Sequence, residues 1–383
     1  MARGLIVEND LELRALSETL LTRHGFEPLT ASGLQTLARQ PELLKSDVIL
    51  LDFDLGEFSG LDVMEYLDDL RINAAIILIS ASDQPGAEAL LDAGREHGLR
   101  MLGFLPRAQM ERDLGELLAK LGGSDSAPTV EALDSAMAGG HFCLAYQPQF
   151  DLRSNRTLGV EVLLRWRDPQ RGMLYPDSFL PLAEQSGRIV RLSWYVLALA
   201  LAQRQRWQAR GWQIEMSINI PAQLLRSERL LADFDALIER HWGTVSGITL
   251  ELTESAGIAC LGYARHLLAG LRRRGFRLSL DDFGTGYASM TQLYRLPFDE
   301  LKLDRSFVSR CDQDQRAHTI VKTMLELGRG LGLRVVAEGI ETPAQQQMLE
   351  KDGCVYGQGY GFSRPMLEAD FNDWYDRQLI GAA

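Results

Sequence analysis

Leu278 to Met290 reads LSLDDFGTGYASM, and the way this stretch is read decides the fold. Leu278 and Leu280 alternate with Ser279 and Asp281, the two-residue period of a strand. Asp282 then sets a second carboxylate beside the first, and Gly284 and Gly286 turn the chain. Neighbouring acids at a strand end repel each other unless a cation lies between them. An all-oxygen donor set suits hard divalent ions such as Mg²⁺ or Mn²⁺. A lone Asp-Asp before a glycine turn is usually no more than a solvated pair; here similar strand ends recur along the chain.

In GVEVLLRW, Glu161, Leu163 and Arg165 share one face, with Val162 and Leu164 on the other. In MSINI, Ser217 and Asn219 share a side. Glu251 and Thr253 oppose Leu250 and Leu252, Lys302 and Asp304 oppose Leu301 and Leu303, and Glu338 follows Ala337. Each polar residue is expected near the carboxyl end of its strand. In an α/β barrel that end is the catalytic face, so Glu161, Asn219, Glu251, Asp281, Asp282, Lys302 and Glu338 should converge on one bowl. Carboxylates so gathered repel strongly even at an effective dielectric of about 20, and Lys302 alone cannot neutralise them. Paired divalent ions held by bridging carboxylates are the usual apparatus of phosphodiester hydrolysis.

The first 121 residues read differently. Leu5 to Val7, Val48 to Asp52, Ile76 to Ser80 and Met101 to Leu105 are short buried strands, and helical patterns separate them. Strands alternating with helices imply a doubly wound parallel sheet whose polar strand ends gather at one edge. Residues 122–128 (GGSDSAP) have the composition of a flexible connector, and residues 129–383 have the length of a (β/α)8 barrel.

The net charge of −12 argues against broad nucleic-acid binding, so a small anionic substrate caught by local cations fits better. Cys143, Cys260, Cys311 and Cys354 are widely spaced, and the six histidines have no ligand spacing. Reduced thiols, a cytoplasmic location and no zinc centre are the expectation. The longest apolar run, Trp194 to Ala202, is too short for a membrane span and belongs to a helix continuing through Arg210.

Residues 1–121 resemble the receiver domain of two-component response regulators, a flavodoxin-like fold. The resemblance implies that Asp52 is the phosphoacceptor, that Glu8 and Asn9 occupy the metal-holding acidic pair around a Mg²⁺, and that Ser80 and Phe104 are the switch pair. Arg107 stands at the usual lysine, and Ala108 and Gly56 stand where prolines are common. Arg cannot copy the compact charge of Lys. A receiver kept only for dimerisation or partner docking is the competing reading.

Residues 129 to 378 resemble the EAL-domain family of cyclic-di-GMP phosphodiesterases, with a TIM-like barrel. The resemblance rests on an ordered series: YQP (146–148), EVLLRW (161–166), SINIPAQ (217–223), ELTES (251–255), DDFGTGYASM (281–290), LKLDRSF (301–307), AEGIET (337–342) and GQGYGFSRP (357–365). It implies opening of cyclic di-GMP to linear pGpG with two Mg²⁺ or Mn²⁺ ions. Glu161, Asn219, Glu251 and Asp281 would hold one ion, and Asp281, Asp282 and Glu338 the other. Lys302 would orient the attacking water, with the general base left open between Lys302 and Glu338. Gln147, Arg165, Glu341, Gln358, Tyr360 and Arg364 would meet the nucleotide, and Glu254 would anchor the mobile loop. The receiver plus EAL pairing resembles the RocR-type response-regulator phosphodiesterases, which implies a sensor histidine kinase, a homodimer or higher oligomer, and neither DNA nor membrane as partner. A catalytically silent cyclic-di-GMP receptor signalling through proteins is the alternative.

Gly284-Thr285-Gly286 lacks a following G-K-[ST] and reads as an active-site loop rather than a phosphate cradle. Arg272 to Arg274 read as a solvated face or subunit contact, and Trp207, Trp212 and Trp242 as helix-to-barrel packing.

Overall fold

A computed structural model describes residues 2–56, 58–70, 72, 74–80, 91, 94–95, 99–122, 128–240, 245–253, 260–284 and 290–381. The chain divides into two compact units, Met1–Leu133 with Trp166–Leu182, and Asp134–Arg165 with Ala183–Ala383. Most of the linker, Trp242, Glu254 and the loop from Thr285 lie outside the described residues.

The N-terminal sheet has strands β1 (Ala2–Val7), β2 (Phe26–Ala31), β3 (Val48–Asp52), β4 (Ala75–Ser80) and β5 (Arg100–Pro106), in the order β2-β1-β3-β4-β5. All neighbours run parallel. Because side chains alternate, Ile49, Leu51, Ile76 and Leu78 enter one buried cluster, and Val48, Leu50, Ile77 and Ile79 enter another. Two cores, one on each face, explain why these strands read as unbroken apolar runs. Sequence patterning missed β2, because Pro28 interrupts it and most of its residues are only partly buried. An edge strand tolerates both.

The second unit builds a barrel from β6 (Phe142–Asp151), β7 (Arg156–Asp168), β8 (Glu215–Asn219), β9 (Ile248–Thr253), β10 (Arg277–Phe283), β11 (Glu300–Leu303), β12 (Arg334–Ala337) and β13 (Tyr356–Gly357). These follow one another round the ring, β13 pairs with β6, and β6 pairs with β7 to close it. From β7 to β13 the pairings are parallel, while β6 is antiparallel to β13. The reversal follows from the short turn after Asp151, whose carboxylate accepts from the Arg153 and Ser154 amides at 3.0 and 2.9 Å. Four residues cannot make a parallel crossover, which needs a dozen or more.

The long apolar run lies in the helix Ile189–Ala209, capped at Arg210. No helix among the described residues is long and apolar enough to cross a membrane. Trp207 is buried, and its indole donates to Asn372 at 2.8 Å. Arg272 and Arg274 pair with Asp299 and Asp235, each at 2.6 Å. All four cysteines are free.

Candidate active site

Strand register gathers the acids. Asn219 is level with Glu251, Thr253 with Asp281, and Ser217 with Glu161. Glu161 lies mid-strand rather than near the strand's carboxyl end as expected, because β7 runs on and pairs with Gly172–Leu174. On a regular strand Asp281 and Asp282 would face opposite sides. Here the register against β11 shifts between Leu280 and Phe283, and Asp282 takes φ +56°. The bulge turns both carboxylates toward one place, at the cost of a left-handed aspartate.

Two carboxylate triads result. Oxygens of Glu161, Glu251 and Asp281 lie within 4.8 Å of one another, as do those of Asp281, Asp282 and Glu338, so Asp281 belongs to both. The buried Lys302 ammonium sits among them, 2.6 Å from Glu338, 3.2 Å from Glu251, 3.3 Å from Glu161 and 3.4 Å from Asp281. Burial disfavours its charge, yet the surrounding carboxylates outweigh burial and hold Lys302 protonated well above the ordinary lysine range. Burial, then mutual repulsion, drives Asp282 up to about 7. Burial likewise pushes Glu251 and Glu338 well above the carboxylate range, only partly opposed by Lys302. Glu161 alone is held low: burial is outweighed by Lys302 and by the Gln358 and Asn219 amides. If all five acids ionise, one ammonium leaves four negative charges uncompensated. A buried Glu251 oxygen has no hydrogen-bond partner among the described residues. Unsatisfied buried oxygens and excess carboxylate make a donor set that fits hard divalent cations.

In the N-terminal unit, Glu8 follows β1, Asp52 ends β3, Ser80 ends β4 and Arg107 follows β5. Arg107 Nη2 donates to Asp52 Oδ2 at 2.6 Å, and both Asp52 and Glu8 are fully buried. Glu8 Oε2 and Asp52 Oδ1 have no hydrogen-bond partner among the described residues, so two hard oxygens stand available to a cation. Asn9 is exposed, and Phe104 is half-buried. Gly56 has φ +83°, which proline cannot adopt. The Ser80 side chain lies outside the described residues.

Among families, the EAL domain model matches residues 130–365 and the response regulator receiver domain model matches residues 5–100. The chain belongs to the EAL domain family. Cyclic di-GMP phosphodiesterase RocR of Pseudomonas aeruginosa is 29% identical over 97% of both chains. From the same organism, cyclic di-GMP phosphodiesterase PA2567 is 39% identical over 62% of this chain, which spans 40% of that protein's length. The solved PaMucR phosphodiesterase in complex with c-di-GMP is 37% identical, with TM-score 0.60, over 63% of this chain and 98% of that one.

The residues expected at the nucleotide site of the EAL domain have the following surroundings. Arg165 is buried and donates to the Leu164 carbonyl at 3.0 Å. Gln147 is buried on β6, and the Arg364 guanidinium lies 4.3 Å from the Tyr360 ring centre. Glu341 is exposed, its amide donating to Gln345 Oε1 at 2.7 Å where Thr342 and Gln345 form a capping box. Gln358, expected to line the nucleotide, is buried and donates to Glu161 at 2.6 Å and Glu338 at 2.9 Å. A Cβ at Gly359 would come within 2.2 Å of the Ile340 backbone, so only glycine permits this close seat beside Glu338.

Sequence reasoning missed Gln149, whose amide donates to Gln358 Oε1 at 2.9 Å. It also missed a lower polar layer of the EAL domain. Arg334 bridges Glu300 at 3.2 Å and Glu215 at 2.8 Å, and Arg277 meets Glu215 at 2.6 Å. The period-two pattern carried the signal: Glu215 precedes Ser217 and Asn219 on one face, as Glu300 precedes Lys302.

Proposed function

We propose that the chain hydrolyses cyclic di-GMP to linear pGpG with two Mg²⁺ or Mn²⁺ ions, and that its receiver domain modulates the rate. The observation that carries this reading is the pair of carboxylate triads sharing Asp281 around one buried lysine. Glu161, Asn219, Glu251 and Asp281 would hold one ion, and Asp281, Asp282 and Glu338 the other. When bound, such ions lower the pKa of a coordinated water and stabilise charge on attacking and leaving oxygens. Lys302, fixed by four carboxylates and held charged, orients the water. The general base is either Lys302 or Glu338. Gln147, Arg165, Glu341, Gln358, Tyr360 and Arg364 would contact the nucleotide, with Arg364 over Tyr360 offering charge for phosphate and a ring for a base. Glu254 would anchor the loop after the aspartate pair. Support for the substrate comes from the relatives named as cyclic di-GMP phosphodiesterases.

In the receiver, Asp52 would take a phosphoryl group from a sensor histidine kinase, with Glu8, Asn9 and Asp52 around a Mg²⁺ and Arg107 and Ser80 beside it. Assembly as a homodimer or higher oligomer belongs to the same reading. The test is chromatographic detection of the linear product with Mg²⁺ and with Mn²⁺, comparing wild type, Glu161→Ala, and Asp52→Asn with a small phosphodonor. Turnover in wild type and its loss in Glu161→Ala are expected. Nucleotide binding without product under either ion would replace this reading with a nucleotide receptor acting through partners.

A further inference from the structure

Gln358 reaches both triads with one amide nitrogen: Nε2 donates to Glu161 Oε2 in the first and to Glu338 Oε1 in the second. Both of its hydrogens are then committed. Its oxygen has to face away from the carboxylates, because the flipped amide would set that oxygen against two acidic oxygens. The donor behind it holds that oxygen from the other side. Gln149 Nε2 donates to Gln358 Oε1 at 2.9 Å, and both side chains are at least nine-tenths buried, so water is a poor substitute. Gln149 shares its strand face with Gln147.

We propose that Gln149 is a positioning residue for the paired-ion site: by fixing the sense of the Gln358 amide it holds Glu161 and Glu338 at the spacing that two divalent ions require. The proposal rests on reading the bowl as a two-ion phosphodiesterase site and adds a residue outside the acids to it. Gln358, one step removed from the ligands, has the place of a partner worth about 10–100-fold in metal affinity or activity, and Gln149 acts through it toward the lower end of that range. Gln149→Met keeps volume and reach while removing the donor, whereas Gln149→Lys keeps a donor.

The experiment measures Mn²⁺ affinity of the full chain by calorimetry, beside kcat and KM for cyclic di-GMP. Gln149→Met should bind Mn²⁺ about tenfold more weakly and lose a similar factor in kcat, with KM within about twofold. Gln149→Lys should recover most of both. Wild-type affinity and kcat in Gln149→Met would overturn the proposal, as would equal impairment of the Met and Lys variants with unchanged thermal midpoints. If wild type binds Mn²⁺ without turnover, the phosphodiesterase reading fails by itself, and the Mn²⁺ affinity of Gln149→Met still decides the role of Gln149.

Discussion

The receiver pocket and the barrel bowl both collect acids at the carboxyl side of parallel strands, and they differ in how the charge is met. In the receiver, Arg107 pairs with Asp52 at 2.6 Å, and one further buried acid, Glu8, stands nearby. In the barrel, one lysine faces five carboxylates. An organic cation brought by the chain nearly suffices in the first site; the second is left with an excess that the protein cannot satisfy internally. The difference teaches that the bowl carries an excess of carboxylate that could hold divalent cations, while the receiver pocket meets most of its charge with its own arginine.

Removing an acid shared between the triads should test this most severely. Asp281→Ala is expected to lower turnover by on the order of a hundredfold or more, in steady-state assays at saturating Mn²⁺; turnover within a fewfold of wild type would break the contrast with the receiver. Next comes the lysine. Lys302→Met leaves buried acids unpaired, so the metal-free protein should lose about 3–5 kcal/mol in urea unfolding, much of it recovered by Mn²⁺. A smaller effect is expected at Arg107. Its loss strands the buried Asp52, and Arg107→Ala should cost about 1–3 kcal/mol of receiver stability. No change there would mean that Asp52 is already met by water.

The last test is in pH. Asp282 is raised from 3.8 to about 7, so its contribution to folded stability is full below about 3.8 and is lost as pH rises through about 7. The metal-free protein should therefore lose thermal stability from about pH 4 to 7, and Mn²⁺ should reverse the loss while releasing protons, as calorimetry in two buffers would register. A metal-free midpoint that climbs over this range would show that another group controls it.

Much of this contrast was legible without coordinates. Alternation put Glu161, Glu251, Asp281 and Lys302 on inward faces because a strand has a period of two, and the VILLD and IILIS runs announced a sheet covered on both sides. Local pattern could not locate the strand Phe26–Ala31, whose Pro28 is tolerated only because neighbours leave it at an edge. Nor could it supply the partners of Gln358, which lie 197 and 209 positions away.

The alternation of strands with helices and the inward set of acids were thus fixed by residue type and spacing, which act over a few positions. The bulge that turns Asp281 and Asp282 the same way, the seat of Lys302 between two triads, and the Gln149 to Gln358 bond were decided by register between strands far apart in the chain. Those choices depend on burial and on which charges meet, and they exist only once the barrel has closed.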